Sequence, residues 1–244
     1  MRDKVTKSPT AKESGPAPWR EGAPLGEAAL ARACAALAEG GVLAYPTETS
    51  YALGGNALLP GVVEAVYRLK QRPVEKSLLL LIGGVEAVAR WCGEPPPGAG
   101  ELMRRFWPGP LTLVLPAGPA LPAHLPDARG TIALRWSPHP LLATLFTRWE
   151  GPLIGTSANP SGEPPAQDAD AVLRYFPHGM TGVLDGGVLP AGQGLSNSTA
   201  GGVLPSTIVD TTTTPMRVLR AGAVDAALLR EVVPELAAPP PPTP

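Results

Sequence analysis

Two polar stretches carry the residues with the clearest chemistry. The first is Tyr45-Pro46-Thr47-Glu48-Thr49-Ser50-Tyr51-Ala52-Leu53-Gly54-Gly55, followed by the cation pair of Lys70-Gln71-Arg72 and then Pro73. The second is Gly155-Thr156-Ser157-Ala158-Asn159-Pro160-Ser161-Gly162. In each, an apolar run stops at hydroxyls, glycine and proline. A strand ending in a polar, Gly-rich turn, with a helix returning cations to it, is an anion-binding corner. Other hydroxyls and cations stand at further predicted strand exits: Arg135, Ser206, Thr207 and Arg220. Ligands of open α/β sheets collect where strands end. Arginine grips phosphate with two parallel N–H groups, and lysine acts as a point charge. The set suits a polyanion lying beside a small zwitterion. Each residue also has a plain reading. Lys70 and Arg72 fit a solvated helix end favoured by the helix dipole. Ser157 and Asn159 fit a turn before Pro160. Arg135 and Arg220 fit surface strand positions. Spacing alone reaches no further than a soluble α/β domain with a nucleotide among its candidate ligands.

Several familiar devices are missing. No Gly-x-x-x-x-Gly-Lys-Ser/Thr loop and no Gly-x-Gly-x-x-Gly turn occurs. Ser157 follows a predicted strand, but a nucleophile elbow needs glycine where Asn159 stands. His124, His139 and His178 do not share metal-ligand spacing, so no metal site is expected. Cys34 and Cys92 lie far apart in apolar, helix-like segments and read as core thiols.

The elements that must position these residues alternate. Helical spacing predicts helices over 26–39, 62–70, 85–92, 101–106, 141–149, 168–176 and 225–236, with Asp225 able to cap the last. Short apolar runs predict strands over 42–45, 77–82, 111–115, 131–136, 152–156, 183–185, 206–210 and 217–220. Alternation of this kind gives the α/β class, here one twisted, mixed, open sheet with flanking helices. The expected organisation is a disordered tail over 1–22, one domain over 23–237 and a Pro-rich tail over 238–244. A Gly/Ser-rich insertion over 186–205 is expected to be flexible. Apolar residues form 44% of the chain and charged residues 17%, so a globular core is expected. The net charge of −1 argues against bulk nucleic-acid binding. The first residues lack the apolar segment of a signal peptide, and no apolar run has the length of a membrane span. A cytoplasmic location without membrane association is therefore expected.

Six motifs, taken in order, resemble those of the YrdC-like threonylcarbamoyl-AMP synthase family. They are Pro46-Thr47-Glu48-Thr49-x-Tyr51, Lys70-x-Arg72-Pro73, Trp107-Pro108-Gly109-Pro110-Leu111-Thr112, Ala133-x-Arg135, Thr156-Ser157-Ala158-Asn159-Pro160-Ser161-Gly162 and Ser206-Thr207-Ile208-Val209-Asp210. The resemblance covers about residues 26–222 and matches the short form of the family. It implies a deep, positively lined, concave cavity and nucleotidyl transfer. L-threonine, bicarbonate and ATP would give L-threonylcarbamoyl-adenylate and pyrophosphate, feeding the t6A modification at position 37 of tRNA. It places Thr47, Arg135 and Ser157 on threonine or its carbamate. Lys70, Arg72, Thr112, Asn159, Ser206 and Arg220 would hold ATP, with Lys70 and Arg72 catalytic. Mg2+ would accompany ATP, and proteins that transfer the threonylcarbamoyl group would be partners. Direct tRNA contact is compatible with the same resemblance. The competing reading is a double-stranded RNA or tRNA-binding module, or a non-catalytic paralogue, with the same cavity. A hydrogenase-maturation domain using carbamoyl phosphate is disfavoured, since the companion regions of such proteins are missing. Ala52 and Ser77 stand where the family usually has glycine and proline. If position 52 required positive φ, alanine would strain the turn by roughly 1 kcal/mol.

Overall fold

The computed structural model describes residues 16–71, 78–189 and 204–238. Its elements, in chain order, are β1 (Trp19–Gly22), α1 (Glu27–Ala38), β2 (Leu43–Pro46), β3 (Tyr51–Gly54), α2 (Pro60–Lys70), β4 (Leu79–Leu81), α3 (Glu86–Trp91), α4 (Ala99–Phe106), β5 (Leu111–Pro116), β6 (Thr131–Arg135), α5 (Pro140–Phe146), β7 (Leu153–Ile154), β8 (Thr156–Ser157), α6 (Ala169–Tyr175), β9 (Gly182–Asp185), β10 (Thr207–Asp210), β11 (Arg217–Arg220) and α7 (Ala226–Val232). The helix ends follow from sequence. Asp168 and Asp225 accept hydrogen bonds from the first-turn amides of Ala171 and Ala227. Gly40, at φ +83°, follows the end of α1.

The strands form two mixed sheets, not one. The first has the order β1-β9-β2-β3-β8, and the second β11-β10-β5-β6-β4-β7. Sequence analysis merged them because β7 and β8 are separated by a single residue, Gly155. Leu153 and Ile154 pair with β4, whereas Thr156 and Ser157 pair with β3. The chain therefore changes sheets at Gly155. A Cβ there would meet the Leu81 side chain at 2.7 Å. The junction is tight on its other side as well. Tyr45 is fully buried and its hydroxyl donates to the carbonyl of Ile154. A Cβ at Gly54 would meet that carbonyl oxygen at 1.8 Å and the Tyr45 hydroxyl at 2.5 Å.

Two further expectations change. Tyr51–Gly54 is a strand rather than part of a turn, and Ala52 pairs with Tyr45 on one side and Ser157 on the other. Among the described residues only Gln71 has positive φ outside glycine, so the strain expected at Ala52 does not arise. Trp19–Gly22, expected in a disordered tail, is an edge strand parallel to β9. Trp19 lies against Gly182, where even a Cβ would approach its ring to 2.3 Å. Arg20 donates to Asp185 at 2.6 and 2.8 Å and anchors the strand. Arg72, Ser77, the first fifteen residues, the 190–203 part of the insertion and the 239–244 part of the tail lie outside the described residues.

In β5 and β6, alternate residues face opposite ways. Leu111, Leu113, Leu115, Ile132 and Leu134 enter the apolar core with Val209 and Val218. The residues between them line a cavity. Because the sheet junction has no room for a side chain, Gly54→Ala is expected to destabilise the protein by about 3 kcal/mol or more. Chemical denaturation checks this; an unchanged midpoint would show that the junction can relax.

Candidate active site

The cavity measures about 730 Å³ and lies against the cavity-facing residues of the second sheet, with β3 and β8 of the first sheet contributing to its wall. Its size falls in the range of small-ligand sites. Thr112 and Val114 reach it from β5, Thr131, Ala133 and Arg135 from β6, Leu79 from β4, Ser206 and Ile208 from β10 and its approach, and Leu219 and Arg220 from β11. The expectation of a site at strand exits is thus half of the answer. Much of the floor is a sheet face, made by the hydroxyl and small side chains that alternate with core leucines.

At one end, the Thr47–Ser50 turn presents Thr47, Thr49 and Ser50 to the cavity. The Thr47 hydroxyl donates to the Ser50 carbonyl at 2.7 Å and lies 3.1 Å from the Thr49 hydroxyl, which fixes the turn. Arg135 is buried and donates to the Thr49 hydroxyl at 3.3 Å. Its Nε lies 3.7 Å from Glu48 Oε1, and Ser137 donates to the other Glu48 oxygen. Neither Arg135 Nε nor Glu48 Oε1 has a hydrogen-bond partner, so the contact between them is purely ionic, while Thr49 and Ser137 hold the other atoms of the two groups. A guanidinium held from behind by a carboxylate and opening into a cavity is built to take a second carboxylate. Ser157, at the end of β8, completes this end.

The other cations and hydroxyls are organised by Ser206. Its hydroxyl lies 2.9 Å from that of Thr112 and accepts from Arg220 at 3.0 Å. Arg220 also donates to the Ser206 carbonyl at 2.7 Å. Thr47, Thr112, Arg135, Ser157, Ser206 and Arg220 therefore share one cavity. Lys70 and Asn159 stand outside its lining. Lys70 is buried at the end of α2 and donates to the carbonyls of Ser157 and, at 2.7 Å, Asn159. The Asn159 amide is held by the carbonyls of Pro160 and Glu163 at 2.9 and 2.6 Å, leaving its Oδ1 buried without a partner.

Sequence reading passed over Asp127 and Arg129, in the turn before β6. Both line the cavity. Arg129 donates to Asp210 at 2.7 Å and to Asp127 at 3.3 Å. Burial pushes the Asp210 carboxyl up, but the bonds from Arg129 and Thr212 outweigh it and hold the group below the usual range. The available signal was Asp-x-Arg-Gly ahead of a strand: Asp127 Oδ1 accepts from the amides of Arg129 and Thr131 and closes an Asx turn. Among the described residues, no three His, Cys, Asp or Glu side chains cluster as a metal cage.

A family model for Sua5, YciO and YrdC proteins, described as telomere recombination, matches residues 35–222. The chain belongs to this family. It is 38% identical over 184 residues to the threonylcarbamoyl-AMP synthase of Stenotrophomonas maltophilia, covering 74% of this chain and 99% of that protein. It is 34% identical to the Pyrococcus abyssi threonylcarbamoyl-AMP synthase, covering 81% of this chain and 55% of that longer protein. Among solved structures, Pyrococcus abyssi Sua5 complexed with L-threonine superposes with a TM-score of 0.80 at 31% identity, over 90% of this chain and 62% of that one. Escherichia coli YciO shares the fold, with a TM-score of 0.73 at 23% identity over 85% and 96% of the two chains.

The depressed Asp210 gives a pH signature. Its stabilisation is present above the unfolded-state value of about 3.9 and is lost as pH falls through the lower folded value. Asp210→Asn is expected to lower the melting temperature at pH 7 by on the order of 5 °C, with the gap to the parent protein closing at acidic pH. A gap independent of pH would remove the ion pair as its cause.

Proposed function

We propose that the chain is a nucleotidyltransferase that makes L-threonylcarbamoyl-adenylate from L-threonine, bicarbonate and ATP, in support of tRNA t6A modification. The observation that carries this reading is one cavity joining a carboxylate-ready arginine, Arg135, to the Thr112–Ser206–Arg220 group. Both neighbours described above support it: relatives named threonylcarbamoyl-AMP synthase, and a threonine-bound Sua5 of the same fold.

In this reading the threonine carboxylate lies against Arg135, with Thr47 and Ser157 flanking it. Its amine adds to bicarbonate-derived carbon, giving a carbamate and releasing water. A carbamate oxygen then attacks the α-phosphorus of ATP, and the bond to the β-phosphate oxygen breaks to release pyrophosphate. The protein supplies positioning and charge rather than a nucleophile. Ser206, Thr112 and Arg220 hold the phosphates. Lys70 fixes the carbonyls of Ser157 and Asn159 and, with Arg72, supplies charge to the departing pyrophosphate. With no acidic cage among the described residues, Mg2+ enters with the triphosphate as part of the substrate. Proteins that pass the threonylcarbamoyl group to tRNA would act next.

Purified protein is expected to release pyrophosphate from ATP only when threonine and bicarbonate are both present; release without threonine would overturn the reading. Arg135→Lys keeps the charge but loses the planar fork, so KM for threonine should rise about 10-fold with a smaller change in kcat. Lys70→Ala should lower turnover at least about 100-fold. Its melting temperature is measured alongside, because the same change frees two carbonyls; normal turnover would exclude Lys70 from the reaction.

A further inference from the structure

Glu48 stands in the middle of the Thr47–Ser50 turn, yet it does not share the orientation of its neighbours. Thr47, Thr49 and Ser50 line the cavity, and Glu48 does not. Its side chain, 11% exposed, lies behind that of Arg135, which is 5% exposed. One carboxylate oxygen is 3.7 Å from Arg135 Nε, and the other accepts from the Ser137 hydroxyl. Ser137 is buried in its turn, and its hydroxyl accepts from the His139 amide at 3.3 Å, at the start of α5. The carboxylate is thus tied to the segment that follows β6 and stays at the back of the guanidinium.

Glu48 Oε1 and Arg135 Nε make no hydrogen bond, so the carboxylate acts on the guanidinium through its field. In the reading proposed above, one cavity admits both a carboxylate and a phosphate chain. A bare buried guanidinium would draw the more highly charged anion more strongly, because attraction scales with the charge of the ligand. A fixed negative charge behind it opposes that preference. A carboxylate meets the repulsion once and keeps its short fork contact with the arginine. Pyrophosphate or a triphosphate meets it several times over, and its outlying charges sit where the fields of Arg135 and Glu48 largely cancel.

We propose that Glu48 is a specificity-determining residue, which acts through Arg135 to reserve this end of the cavity for a carboxylate and to turn phosphate chains away from it. The assignment rests on threonine and ATP being the substrates of the one cavity, and it names the group that keeps the two anions apart. Glu48 touches neither substrate; it positions and neutralises the residue that does.

The test is calorimetric titration of L-threonine with and without excess pyrophosphate. In the unaltered protein, pyrophosphate should change threonine affinity by less than about 2-fold. Glu48→Gln keeps the shape and the bond from Ser137 but removes the charge, so pyrophosphate should now weaken threonine at least about 10-fold. Glu48→Asp keeps the charge and should restore indifference to pyrophosphate, whatever it does to threonine affinity itself. A merely structural role would weaken threonine equally with and without pyrophosphate in Glu48→Gln, and that result overturns the proposal. So does a 10-fold effect of pyrophosphate on the unaltered protein, a measurement that needs no variant to fold. Either result, obtained with a protein that binds threonine, would sink this assignment alone. Failure of the unaltered protein to bind threonine would sink the substrate reading and the assignment with it.

Discussion

Everything in this molecule depends on a change of sheet within a single residue. Leu153 and Ile154 close the edge of one sheet, Thr156 and Ser157 close the edge of the other, and Gly155 lies between them. The two sheets are thereby brought together at one corner. Gly54 and Gly155 permit the approach because neither presents a Cβ to the opposing backbone or to Leu81. The buried Tyr45 hydroxyl then bonds across the corner to Ile154. Sheets held this closely at one edge diverge elsewhere under their normal twist, and a cavity opens between them. The shape of the cavity thus follows from a packing constraint at the sheet junction, where Gly155 itself forms part of the lining.

A second consequence concerns charge. Three cations, two of them buried and Arg129 half exposed, are held by groups of different kinds. Lys70 rests on two backbone carbonyls, Arg135 faces Glu48, and Arg129 faces Asp210. A buried cation with no counterpart would be strongly unfavourable. Two carboxylates compensate Arg129 fully. The charge at each of these cations is set by partners that sequence motifs do not display.

Much of this was legible in the chain itself. Leucine-rich runs marked β4, β5 and β6, and aspartates marked the starts of α6 and α7. The motifs named residues that do converge: Thr47, Arg135, Ser157, Thr112, Ser206 and Arg220 share a cavity. Less legible was anything that required knowing which strand is whose neighbour. Tyr51–Gly54 reads as turn because two glycines follow it, and only its pairing with β2 and β8 makes it a strand. Lys70 reads as a helix-end cation for solvent or phosphate, and only the return of β8 gives it carbonyls. Arg129 reads as loop decoration, since its partner Asp210 is distant in sequence and belongs to another motif. Alternation of hydroxyl or small residues with leucine in β5 and β6 was visible throughout, but which side faced the cavity became evident only with the other sheet in place.

The short strand at the beginning of the fold has an implication for handling the protein. The family match begins at residue 35, inside α1, whereas β9 already has its outer neighbour in Trp19–Gly22. Trimming the chain to the matched boundary would strip that neighbour, bare the hydrogen-bonding groups along β9 and uncover the flat glycine surface on which an indole now rests. An unprotected sheet margin of this kind invites pairing between molecules. The smallest piece that stays monodisperse should accordingly begin before Trp19, some distance upstream of where similarity to relatives becomes recognisable.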